Sequence, residues 1–434
     1  MNLFNRFRNL LRSKPHYQLQ QVFTPTSYAE LTYTRRLSLE ERLKSALFQP
    51  GKQILIYGHS GSGKSTLLHN VLKETNTLGI TSQCINDTTV DALMLDAFDK
   101  LNPYYIDTVS KTDRIAIANE LKTDYGLISA AVKSSYEMSN TVGQKRFLPP
   151  QLTPQRLASF IGAARYVWII EDFHKVVQDE KVKLAQIMKL FVDMANKYNT
   201  VRIITIGAAE TGSELVECDS ELNNRVAEIG IPLLNPTEIM DILSTGTELL
   251  NIQFADELKE KIVKYSNCLA TIAHQLAYNL CHINKIYKSQ KEVITLQTTE
   301  LEKALSLFIS DKENTFDTLY RKITEQRRGK YHNVELILKA MVELPGDEIF
   351  HHDILLKICE NNPDYPPGNL SFYLKKLLSS ECDEVLRLNA GRYSFSDPFF
   401  KAYIRMIYGL TKDIKVDDSS FGLDKVKGLS VQIT

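Results

Sequence analysis

Apolar positions along the chain follow two alternating rhythms. Leu39, Leu43, Ala46 and Leu47 fall on one face of a helix over 38–47, and after Gln49-Pro50-Gly51 the apolar run 53–57 reads as a buried strand. The pattern continues with a helix over 67–73, a strand over 80–85, and a helix over 88–101 striped by Val90, Leu93, Met94, Ala97 and Phe98. A capped helix over 153–164 leads to a strand over 166–170, then a helix over 181–198 and a strand over 201–206. Strands alternating with helices predict a parallel sheet covered by helices, an α/β fold. Between them, 103–150 mixes Tyr-, Lys- and Asn/Gly-rich pieces, closes on Pro149-Pro150, and is expected to be a partly helical insertion.

The texture changes at Pro232. From Asn235-Pro236 to about Ile309 every periodic segment is helical, which predicts an all-α lid over 234–320. A charged linker over 322–330 precedes helical patterns at 334–344, 353–359 and 369–380. Two β-like pieces, 385–388 and 392–395, then join across Asn389-Ala390-Gly391. Helix-helix-helix-hairpin is the winged-helix pattern, placed at 321–410 with a loose tail over 411–434. At the other end, 1–29 carries no acid. Leu3, Phe4, Phe7, Leu10 and Leu11 with Arg6, Arg8, Arg12 and Lys14 form a short basic amphipathic helix ended by Pro15. It suits a membrane surface, a partner, or packing on its own protein. The sheet domain then spans 30–233.

Charge changes this picture little. The 434 residues hold 52 Lys+Arg and 52 Asp+Glu, so the chain is formally neutral and does not coat nucleic acid through bulk charge. Apolar residues at 43% and charged residues at 24% exclude wholesale disorder. No apolar stretch approaches the ~20 residues that span a bilayer. Six scattered cysteines without metal spacing, and no secretory signal, point to reduced thiols in a cytoplasmic protein.

The chemistry concentrates in Gly58-His59-Ser60-Gly61-Ser62-Gly63-Lys64-Ser65-Thr66, which fits G-x-x-x-x-G-K-[ST] between a strand and a helix. Glycines let successive amides point at phosphate oxygens, and the helix presents its positive end to the same anion. Lys64 would bridge the β- and γ-phosphates of ATP, Ser65 would offer its hydroxyl to Mg²⁺, and Thr66 stands in reserve. Such a loop needs acids at the end of a strand lying beside it, and Glu171-Asp172 after the 166–170 strand supplies them. By position Glu171 falls on the metal side and Asp172 at the base that polarises water, with both in reach of Mg²⁺. Asp reaches about one methylene less far than Glu, so hydrolysis is expected to be slow.

Weaker candidates surround this pair. Glu210 or Thr211, after the 201–206 strand, suits a γ-phosphate sensor or a plain loop. Arg225, ahead of the apolar run 229–233, suits an arginine finger acting in its own subunit or across an interface, or a surface ion pair. His274 would touch the nucleotide from the lid or sit in the core. Lys375, Lys376, Arg387 and Arg392 offer a duplex-binding face, although Glu381, Asp383 and Glu384 lie among them and favour a protein contact. His351-His352 reads as the start of a helix.

Together these residues resemble the prokaryotic STAND-type P-loop ATPases, close to the AAA+ ATPases of the origin-recognition kind. The resemblance spans roughly Tyr33 to Tyr408. It rests on GHSGSGKST at 58–66, VWIIEDFHKV at 167–176, NNRVAEIGIPLLNPTEI at 223–239 and RYSFSDPFFKAYIRM at 392–406. It implies a nucleotide-binding domain, a helical lid and a winged helix. It also implies a switch that is closed with ADP, opens with ATP and often oligomerises, in signalling or phage defence. The sequence departs from the family pattern at Tyr33-Thr34-Arg35-Arg36, where only Arg36 matches the usual Gly-Arg. It departs again at Asn267-Cys268-Leu269, where a Gly-x-Pro is usual. With no effector domain after the winged helix, output is expected on a partner chain. The alternatives are a DNA-dependent ATPase of the initiator or transposition-regulator kind, and a nucleotide-binding scaffold with negligible turnover.

Overall fold

A computed structural model describes residues 16–107, 152–208, 220–325 and 331–413. The first 15 residues of the basic N-terminal arm expected over 1–29, nearly all of the expected insertion, Glu210, Thr211, the linker's 326–330 and the tail beyond Asp413 lie outside the described residues. The chain divides into two compact units. One is 35–232, and the other joins the residues up to Thr34 to those from Leu233 onward.

In the first unit, β1 (Gln53–Tyr57), β2 (Leu78–Gln83), β3 (Tyr166–Glu171), β4 (Ile203–Gly207) and β5 (Val226–Gly230) make one parallel sheet in the order β2-β3-β4-β1-β5. The central strands are almost wholly apolar and buried, with only Gln53 and Thr205 as buried polar exceptions, because both faces are covered, as a parallel sheet demands. Ile204 on β4 stands in register with Ile54 on one side and Ile169 on the other. The acid-bearing strand β3 is therefore not the direct neighbour of β1, contrary to the expectation from sequence. With strands spaced about 4.8 Å apart, the inserted β4 sets their ends about 10 Å apart. Trp168, Ile170, Phe173 and Phe191 fill the core on one side, and the Trp168 indole N–H donates to Ser82 Oγ at 3.0 Å.

The second unit opens with a helix, Pro236–Leu250, whose start is fixed by a reciprocal cap. Asn235 Oδ1 accepts from the Glu238 amide at 2.8 Å, and Glu238 Oε2 accepts from the Asn235 amide at 2.7 Å. Helices Asp256–Ser266, Ala270–Ile283 and Leu301–Asp311 follow. The lid is not wholly helical: Ile252–Phe254 and Ile294–Leu296 pair as two short parallel strands. At three residues each they are too short to leave a period in the sequence. Helices Asn333–Glu343, His351–Cys359 and Pro367–Leu377 follow, and the hairpin strands Leu386–Asn389 and Arg392–Phe395 form a three-stranded sheet with Ile349–Phe350, a strand between the first two of those helices.

A last helix, Pro398–Asp413, ties these parts together. Its Arg405 donates to the Lys264 carbonyl at 3.0 Å and to Asn267 Oδ1 at 3.1 Å, while buried Lys401 pairs with Asp347 at 2.7 Å. One continuous apolar core runs from Leu19 to Leu410, so the boundary expected at 320/321 lies inside a single unit. The early residues belong here too. The Tyr17 amide donates to Ser289 Oγ at 2.9 Å and its carbonyl accepts from the Ser289 amide at 2.9 Å, the Leu19 amide donates to the Tyr287 carbonyl at 2.8 Å, and Phe23 is fully buried.

Candidate functional site

The glycine-rich loop leaves β1 at the carboxyl end of the sheet, where open parallel sheets place their ligands. Gly58 passes so close to the Ile231 carbonyl oxygen that any Cβ would collide with it. Gly63 caps the next helix, Lys64–Glu74, with a left-handed φ of 88°, and a Cβ there would meet nothing within 4 Å. The first bond of that helix runs from the Leu67 amide to the Gly63 carbonyl at 2.8 Å. The amides of Lys64, Ser65 and Thr66 thus stand ahead of the ladder at the positive helix end. Ser62 Oγ is buried with no hydrogen-bond partner. A close-packed Gly58, an open space at Gly63 and an orphaned hydroxyl are what a phosphate cradle requires.

Lys64 folds back over the loop and donates to the carbonyl oxygens of Gly58 and His59, each at 2.8 Å. Burial lowers its pKa to about 8, against the opposing pull of Asp172 and, less strongly, Glu171. Lys64 and both acids therefore share one electrostatic neighbourhood, across the gap that β4 opens between β1 and β3. Ser65 is half-buried on the first turn of the helix.

Two residues that the sequence reading gave no role complete the surroundings. Asp172 leaves β3 with a left-handed φ of 57° and begins a one-turn 3-10 helix, Phe173–Lys175. Lys175 comes back to pair with Asp172 Oδ2 at 2.7 Å. Cys84, just past β2, donates its amide to the Glu171 carbonyl at 2.9 Å. Burial, with a lesser push from the Asp172 charge, raises its thiol to about 12. Neither residue could be placed from sequence, because each contact depends on the turn or on the pairing of β2 with β3. Among the described residues no group of three or more acids, His or Cys is arranged to hold a metal by itself.

Two candidates sit elsewhere. Arg225 is exposed ahead of β5, and its carbonyl accepts from the Gln53 amide at the start of β1. That is the amino end of the sheet, a strand length of about 16 Å from the loop, so a reach to phosphate within its own subunit is excluded. His274 is 2% exposed; its Nδ1 accepts from the Thr24 amide at 3.1 Å and Phe23 packs edge-on against it. Burial lowers its pKa to about 4. It is a core residue of the second unit rather than a nucleotide contact. On the hairpin, Arg387 donates to Ser394 Oγ at 2.9 Å, and Arg392 lies over Phe350 and pairs with Glu348 at 3.7 Å. His351 does begin a helix, as expected.

No protein-family profile matches the chain, and no curated protein does. Solved structures do. A Walker-type ATPase of Pyrococcus abyssi superposes with a TM-score of 0.51 at 13% identity, covering 86% of this chain and 96% of that one. The Orc1 protein of Aeropyrum pernix, solved with DNA, gives 0.43 at 13% identity, covering 93% and 100%. The RuvB branch-migration motor of Thermotoga maritima gives 0.39 at 13%, covering 85% and 94%. With the five-stranded parallel sheet and its loop-to-helix turn, the first of these likenesses establishes an α/β P-loop NTPase fold. Among the described residues no helix is long and apolar enough to cross a membrane.

Proposed function

We propose that the protein is an ATP-dependent molecular switch of the STAND and AAA+ kind, which binds Mg-ATP on the Gly58–Thr66 loop and hydrolyses it slowly. The observation that carries this reading is the meeting of Lys64, held by the loop's own carbonyls, with the charges of Asp172 and Glu171. The loop amides and Lys64 bind the phosphates. Ser65 and Glu171 are the residues that would hold magnesium, which neutralises charge on the β- and γ-phosphates when bound. Asp172 takes the proton from water as the water oxygen bonds to the γ-phosphorus and the bond to the bridging oxygen breaks. ADP and inorganic phosphate leave.

The switch reading rests on how the second unit is built. Its lid and its helix-helix-helix-hairpin module, which we read as a winged helix, share one core and are pinned together by Arg405 and Lys401. Such a body responds to nucleotide as a whole, joined to the first unit by chain crossings at 34/35 and 232/233. Arg225, exposed on the far end of the sheet, fits an arginine finger offered to a second copy, which makes turnover dependent on self-association. The hairpin arginines are engaged within the module, which favours a protein partner over duplex DNA.

Phosphate release by wild type and Asp172→Ala, with particle size in ADP and in a non-hydrolysable ATP analogue, tests this. The reading expects turnover to be lost in the variant and the particle to differ between nucleotides. Equal turnover in the variant means that Asp172 is not operating as the base, and negligible turnover in both proteins leaves a nucleotide-binding scaffold. Stimulation by duplex DNA with a steep salt dependence favours the DNA-dependent alternative.

A further inference from the structure

The turn that follows β3 does more than present Asp172. Phe173 is fully buried and Val176 nearly so, and they hold the 3-10 turn in place from inside the core. The Lys175 amide donates to the Asp172 carbonyl at 2.9 Å, which fixes the two residues' main chains relative to each other. On that rigid turn the Lys175 ammonium reaches back to Asp172 Oδ2 at 2.7 Å. The two side chains keep 37% and 50% of their surface in solvent, so the pair is fixed in register yet easy to open.

A carboxylate can take a proton from water only through an oxygen lone pair. Here one of the two oxygens of Asp172 accepts from the Lys175 ammonium, which occupies it and ties the carboxylate to its own turn. Lys64 is turned away as well, onto the carbonyls of Gly58 and His59. We propose that Lys175 is a latch on Asp172: it holds the general base in a non-productive ion pair, and turnover waits on its release. This rests on the assignment of Asp172 as the base. Lys175 is then a positioning residue that acts through Asp172 and sets how slowly the switch resets.

The test compares wild type with Lys175→Met, which keeps the aliphatic stem without the charge, and with Lys175→Arg, which keeps the charge. The latch predicts that Lys175→Met raises kcat about 1.5- to fivefold, the equilibrium cost of opening a half-exposed pair, with KM for ATP unchanged. It also predicts that Lys175→Met needs severalfold less Mg²⁺ for half-maximal binding of a non-hydrolysable ATP analogue, because Asp172 is no longer neutralised. Lys175→Arg should match wild type in both. Turnover that is unchanged or lower in Lys175→Met, while Asp172→Ala is inactive, overturns the latch and leaves the base in place. If instead Asp172→Ala turns over like wild type, the assignment of the base has failed.

Discussion

The Lys64 ammonium sits 2.8 Å from the main-chain carbonyl of Gly58, six residues earlier in the same loop. A charge that has lost most of its water is held by these carbonyl dipoles and by the nearby charges of Asp172 and Glu171, and burial still lowers its pKa to about 8. Phosphates would restore the charge. Nucleotide binding above pH 8 must therefore carry a proton onto Lys64, and affinity should drop by up to tenfold per pH unit between about pH 8 and 10. Calorimetry at pH 8.5 in two buffers of different ionisation enthalpy reads the proton directly. An identical binding heat in both would show that Lys64 stays charged throughout.

Gly58→Ala places a methyl group against the Ile231 carbonyl. The loop must move, so nucleotide affinity should fall at least tenfold while the sheet, held elsewhere, stays folded. Equilibrium binding together with circular dichroism separates the two effects.

Gly246 lies where a side chain would overlap the Phe23 ring. Gly246→Ala should lower stability by about 1–3 kcal/mol through overpacking, and Phe23→Ala by about 3–5 kcal/mol through the cavity left behind. Denaturant unfolding measures both. An unaltered midpoint in either would mean that residues 17–23 do not pack on the helical unit.

His274 is buried neutral, with its pKa lowered from 6.5 to about 4. The unfolded chain binds the proton more tightly, so this group's contribution is complete above pH 6.5 and is lost as pH falls toward 4. The loss amounts to roughly 3 kcal/mol at most, at ~1.4 kcal/mol per pKa unit. His274→Gln should flatten that acid limb in urea melts at pH 4.5 and 7.

What the sequence made legible follows from burial. β1, β3 and β4 are covered on both faces, so they appear as largely apolar runs whose ends fall within two residues of expectation. The Gly58–Thr66 spacing is legible because its backbone geometry leaves few residue choices. His274 was ambiguous because a helical period shows that a residue lies on an apolar face but not what packs against that face. Arg225 stayed open between its own subunit, an interface and a surface ion pair because only the parallel register shows it to be at the amino end of the sheet. The docking of residues 17–23 joins positions 272 apart, as in the contact between Tyr17 and Ser289, and no local pattern encodes that. Lys175 needed the left-handed turn at Asp172 to reach its partner.

Nucleotide binding by the Gly58–Thr66 loop is tested most directly by one titration: fluorescent ATP with magnesium against wild type and Lys64→Ala, alongside thermal unfolding of both. Wild type should bind saturably and the variant not at all, with the two proteins melting together. Equal binding by both would show that the loop after β1 holds no triphosphate.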